Sequence, residues 1–187
     1  MKYLVFILIL TTAACVNDLA EVNELFEKTE TGTEVAKNIE MLYSDSAVVR
    51  VRIIGPTLVR HLEAEKPYDE FPDGVHVDFL ERDGTVSSTL DAQHAERFTR
   101  ENLVIVRSNI TQGVPVILKN DQGEKLETSE LIWDEGDGKV YTDKFVKITK
   151  PEEIIFAYGF TAKQDFSQYT LQKVVGRVKV DEKEFKN

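Results

Sequence analysis

Apolar residues recur at every second position along almost the whole of this chain, and short turn segments separate the runs. Val49, Val51 and Ile53 share one face of an extended segment, with Arg50 and Arg52 on the other. Val75, Val77 and Phe79 oppose His76 and Asp78, Val104 and Val106 flank Ile105, and Val146 and Ile148 flank Lys147. A period of two is the signature of a strand with one buried face. Between the runs lie Ser44-Asp45-Ser46, Phe71-Pro72-Asp73-Gly74, Asp83-Gly84, Asn120-Asp121-Gln122-Gly123 and Asp134-Glu135-Gly136-Asp137-Gly138. Gly, Asp and Asn accept the backbone conformations of tight turns. A dozen or so short strands and no long helix therefore predict an all-β sandwich or barrel. The clearest unit is Leu126–Ile148, read as strand, turn, strand. Gly84 and Gly123 open similar segments about 40 residues apart, a spacing that suggests one hairpin unit used repeatedly. Gly55-Pro56 is expected to end a strand, Thr57–Leu62 to form another, and Pro67 and Pro72 to bracket an exposed loop. Phe166–Leu171 and Val174–Val180 are expected as the last strands.

The 187 residues suit one domain with a sizeable core. Ahead of it, residues 1–14 read as a signal segment. Lys2 supplies the positive end, Tyr3–Leu10 the apolar run, and Thr11-Thr12-Ala13-Ala14 the small residues before Cys15. The run is shorter than the roughly 20 residues a spanning helix needs. Cys15 is the only cysteine, and its place after small residues resembles a bacterial lipobox, although Thr12 stands where Leu is usual. Lipid on Cys15 would hold the domain at a membrane surface. Residues 15–36, polar and acidic with Leu19, Val22, Leu25 and Phe26, are expected as a tether. Residues 37–180 would form the domain and 181–187 a charged tail.

The formal charge is −10. No Arg/Lys stripe offsets it, so nucleic acid is not an expected partner, and an anionic membrane surface is disfavoured on the same ground. His61, His76 and His94 are widely spaced and form no HExxH or Cys/His ligand set. Nucleophile elbows and phosphate-binding glycine loops are absent. The carboxylates of Asp134–Gly138 do not match the calcium loop of an EF-hand, and a solvated hairpin turn accounts for them. The expectation is a protein that is not an enzyme and uses no cofactor or metal.

Residues 126–148, ending in Val-Tyr-Thr-Asp-Lys-Phe-Val-Lys-Ile, and residues 156–178, with Gly159-Phe160 leading into Asp165-Phe166-Ser167, resemble the LptC family. Residues 42–61 resemble the start of that family's domain, and the likeness covers about 37–180. Family members are membrane-anchored periplasmic components of the lipopolysaccharide export machine. Many use a transmembrane helix where this chain has its Cys15 segment. The resemblance implies a twisted antiparallel β-jellyroll or sandwich with an open apolar groove. It also implies a place at the periplasmic face of the inner membrane. Its partners would be lipopolysaccharide, the permeases of an inner-membrane ABC transporter, and a periplasmic bridge protein of similar fold. Acyl chains crossing water need such a groove, since each exposed methylene costs about 0.8 kcal/mol. The candidate groove residues are Val49, Val51, Ile53, Val75, Val77, Phe79, Val104, Val106, Leu131, Trp133, Val146 and Ile148. Any sandwich would bury the same residues as core. Val174, Val178 and Val180 are the candidate partner edge, guarded by Lys173, Arg177 and Lys179. The competing expectation is a surface lipoprotein whose β-sandwich binds protein or glycan on its outside.

Overall fold

The computed structural model describes residues 32–109 and 111–179. Cys15, Val180, the signal segment and most of the expected tether lie outside the described residues. The fold is all-β. Its strands are β1 (Thr33–Asp45), β2 (Val48–His61), β3 (Tyr68–Phe71), β4 (Val75–Leu80), β5 (Val86–Ala92), β6 (His94–Phe98) and β7 (Leu103–Arg107). They continue with β8 (Val116–Asn120), β9 (Lys125–Thr128), β10 (Glu130–Asp134), β11 (Lys139–Thr149), β12 (Glu153–Lys163) and β13 (Tyr169–Lys179). Thus β1 begins at Thr33, four residues ahead of the expected domain start at 37.

Every pairing between these strands is antiparallel, and the pairings form a closed circuit. On one side β2 joins β4, β5, β8, β9 and β11 in turn. On the other, β2 joins β3, β6, β7, β10 and β11. The two branches are the faces of a sandwich, which β2 and β11 close at its two sides. β2 achieves this by changing partner along its length: residues 51–54 pair with β4 and residues 59–61 with β3. Gly55-Pro56 sits between the two sets. It does not end the strand, as the sequence had suggested. Pro56 has no N–H to give to a ladder, and Asn38 opposite it adopts φ 52°, so the β1–β2 ribbon bends there and continues. β11 does the same, pairing with β10 through residues 139–141 and with β9 through 146–149, with an irregularity at Thr142–Phe145 between them.

Other expectations are corrected too. The segment between Pro67 and Pro72 is not an exposed loop: it holds β3, whose Phe71 is buried against the core. Phe166 lies in a turn at φ 55° and is fully buried, and the last strand starts only at Tyr169. The repeated unit is visible in its turns. Gly84 N donates to Glu81 O and Glu81 N to Thr85 O, and the same pair links Gly123 N to Asn120 O and Asn120 N to Glu124 O. Both glycines have positive φ, which these turns require.

The interior is one apolar cluster drawn from both faces. Phe79 of β4 meets Trp133 of β10 edge-on at 5.2 Å between ring centres. Phe160, Phe166 and Tyr169 pack together beside it.

Candidate functional site

The structure brings together eleven of the twelve candidate groove residues as core. Val51, Ile53, Val75, Val77, Phe79, Val104, Val106, Leu131, Trp133, Val146 and Ile148 are all buried, and Val49 is half-buried near the start of β2. They fill the space between the faces.

The interior reaches the surface at a mouth of ≈ 600 Å³. Four turns meet there: the β1–β2 turn, the β6–β7 turn at Asn102, the β10–β11 turn from Glu135 to Gly138, and the β12–β13 turn at Gln164. Backbone bonds tie three of them, the β6–β7, β10–β11 and β12–β13 turns, to one another. Glu135 N donates to Asn102 O at 2.9 Å and Gln164 N to Gly138 O at 3.0 Å. Val51 and Trp133, two of the candidate groove residues, form the apolar part of the lining. Trp133 Nε1 donates to Gln164 Oε1 at 3.1 Å, which satisfies a polar atom that burial would otherwise strand.

The rest of the lining is polar, and sequence reading missed it. Arg97 points inward from β6 with only 9% of its side chain exposed. It donates to Glu135 through Nε at 3.0 Å and Nη2 at 3.2 Å, lies 3.9 Å from Asp69, and covers the Tyr43 ring at 4.6 Å. A buried guanidinium is tolerable only with such partners. Burial raises the Tyr43 hydroxyl above its ordinary pKa, with Glu135 and Asp69 adding to the rise and Arg97 opposing it. Arg50 also lines the mouth, and its Nη1 is buried without a hydrogen-bond partner. The signal for these residues in the sequence is a charge inside an alternating run, but which face it takes depends on register. The Asp134–Gly138 turn is capped by its own groups: Asp134 Oδ1 accepts from Asp137 N, and Lys139 pairs with Asp137 at 2.8 Å. Among the described residues no cluster of three His, Cys, Asp or Glu is placed to hold a metal ion.

The histidines, far apart in sequence, are gathered on outer faces. His61 and His94 both reach Glu70, at 2.7 and 3.0 Å, and these bonds, that from His94 foremost, lower the Glu70 pKa. His76 lies between Asp91 at 2.6 Å and Asp78 at 3.0 Å.

The second feature is the pair of chain-terminal strands. β1 pairs only with β2, and β13 only with β12, so each presents a free edge among the described residues. Val174 and Val178 of the candidate partner edge are 50% and 53% exposed. Val35 and Leu42 on β1 are exposed to a similar degree. The two edges differ in charge. β1 carries Glu34, Glu40 and Asp45 against Lys37, whereas β13 carries Lys173, Arg177 and Lys179 and no acidic residue.

Compared with models of known protein families and with curated proteins, the chain matches none.

Proposed function

We propose that this chain is a non-enzymatic lipid-transfer module of the lipopolysaccharide export type, held at the periplasmic face of the inner membrane by lipid on Cys15. The observation that carries the reading is the mouth, where the apolar interior comes to the surface under a ring of polar side chains. An acyl chain entering past Val51 and Trp133 would exchange water for the Val, Ile and Phe side chains of the two faces. A polar headgroup would stay among Arg50, Asn102 and Gln164. In the closed form the interior is filled, so passage requires the two faces to part. The bends at Asn38/Pro56 and at Thr142–Phe145, where ladder bonds are already interrupted, are the places for that motion.

The free edges supply the connections. An incoming strand of a bridge protein would extend the sheet at β13, through Val174, Val178 and Val180, and transporter permeases would contact the β1 side. The work of transport would come from ATP hydrolysis in the transporter, and this chain would need no cofactor. Depleting the chain from its cells should leave newly made lipopolysaccharide in the inner membrane. Normal arrival at the outer membrane under depletion would sink the reading. The second reading, a lipoprotein binding protein or glycan on its outside, draws on the exposed aromatic residues of β11 and β12.

A further inference from the structure

The outer face of β11, β12 and β13 carries an apolar patch that neither the core nor the mouth uses. Register partners share a face, so its composition follows from the pairing. Phe145 opposes Tyr158, and Tyr158 opposes Lys173. Lys147 opposes Phe156, and Phe156 opposes Gly176. Ile154 opposes Val178. The opposite faces of the same strands hold Val146, Ile148, Ile155 and Ala157, all in the core. The Phe145 ring meets Tyr158 edge-on at 5.4 Å and stacks on Phe156 at 6.1 Å. A Cβ on Gly176 would lie 3.4 Å from the Phe156 ring, so the glycine lets that ring lie low and keeps the surface even. Phe145, Tyr158 and Val178 are 44%, 48% and 53% exposed.

We infer that this face docks on an anionic lipid bilayer, with Phe145, Tyr158 and Val178 entering the headgroup region and Lys147 and Lys173 facing lipid phosphates. Amphipathic rings with flanking lysines are the composition of a membrane-interface surface. Lys173 has no ion-pair partner among the described residues, and Lys147 has only Glu127, which it shares with Lys125. The net charge of −10 is a sum over the whole chain, and β13 itself carries no acidic residue. The exposed Val35 and Leu42 on β1 sit among Glu34, Glu40 and Asp45, which anionic lipid would repel. A second copy fits this face badly, since a two-fold contact would set these lysines against themselves. The chain from Cys15 to Thr33 spans at most about 60 Å when extended, so a lipid on Cys15 would keep this face within reach of the bilayer. Pairing at the β13 edge leaves the face open.

Trp133 is the chain's single tryptophan and is 2% exposed, which allows a direct test. Full-length protein carrying Tyr158→Trp or Leu42→Trp is reconstituted in vesicles of phosphatidylethanolamine and phosphatidylglycerol with brominated acyl chains, which quench tryptophan on contact. The Tyr158→Trp protein is expected to lose most of its added emission, and the Leu42→Trp protein to keep it. Lys147→Glu with Lys173→Glu, or vesicles of phosphatidylcholine alone, should restore the emission. Thermal melts confirm that the surface variants fold. Equal quenching at both positions would mean anchoring without orientation and overturns the inference. So does an unquenched Tyr158→Trp emission that shifts with protein concentration, which would make the face an interface between copies. The result is independent of whether lipid enters the core.

Discussion

His76 shows how a residue can be read correctly for its face and missed for its chemistry. The alternation around Val75, Val77 and Phe79 placed it opposite the core, but not between Asp91 and Asp78, because strand register brings Asp91 to it from β5. Burial, the largest single influence, lowers the His76 pKa, but the hydrogen bonds and charges of Asp91 and Asp78 together raise it above the ordinary value. A raised pKa means that the folded state binds the proton more tightly. The stabilisation is complete below the unfolded value near 6.5 and is lost as pH rises through the folded value. Urea midpoints of His76→Gln and the parent chain should therefore differ more near about pH 5.5 than near about pH 8.5. A pH-independent difference would contradict this. Arg97 is the opposite case, a charge on an inward face that the pattern treats as an error. Arg97→Met would leave Glu135 and Asp69 without their buried cation, at an expected cost of about 3–5 kcal/mol in urea unfolding. Leu131, fully buried, should cost about 2–5 kcal/mol as Leu131→Ala.

Among the elements, the strands most readable from sequence were those with a single partner on each side, such as β4 and β7. The expected single strand ahead of the Asp134–Gly138 turn is two, β9 and β10, parted at Ser129 so that β9 joins β8 and β10 joins β7. Long strands that change partner were not readable either. β2 and β11 each belong to both faces, and the residues that let them bend, Gly55-Pro56 and Thr142–Phe145, look locally like interruptions. β3 was hidden for a similar reason: prolines flank it, and only Phe71 of its four residues is buried. Two glycines separate the physical causes. A Cβ at Gly55 would lie 2.9 Å from the buried Phe71 ring, so Gly55→Ala should cost about 1–3 kcal/mol through overpacking. Gly159 has φ 75°, and its nearest neighbours are atoms of the exposed Gln172 side chain, which can move aside. Gly159→Ala should therefore cost about 1–2 kcal/mol through backbone strain. Adding Gln172→Ala should leave the Gly159→Ala loss nearly unchanged, whereas Phe71→Leu should relieve much of the Gly55→Ala loss. Equal behaviour of the two pairs in thermal melts would contradict this division.

On the scale of the whole molecule, alternation chose core residues correctly at eleven of its twelve candidates, but it passed over others such as Leu90, Val140 and Phe160. It left open how the two faces close, since closure depends on partner changes that no local pattern records. The mouth was likewise out of reach. Its polar residues come from four turns that sequence separates and topology joins. The central claim is that lipid passes between the two faces. Site-specific photocrosslinking in living cells tests it most directly. A photoreactive residue would replace Val51 or Trp133 at the mouth, or Val106 or Ile148 within, with outward-facing Lys119 as the control, because Lys147 lies on the proposed bilayer face. Lipopolysaccharide adducts from the four inward sites and none from Lys119 are the result this account predicts. A stable, normally expressed protein with no adduct from any inward site would contradict it, and those residues would then be core alone.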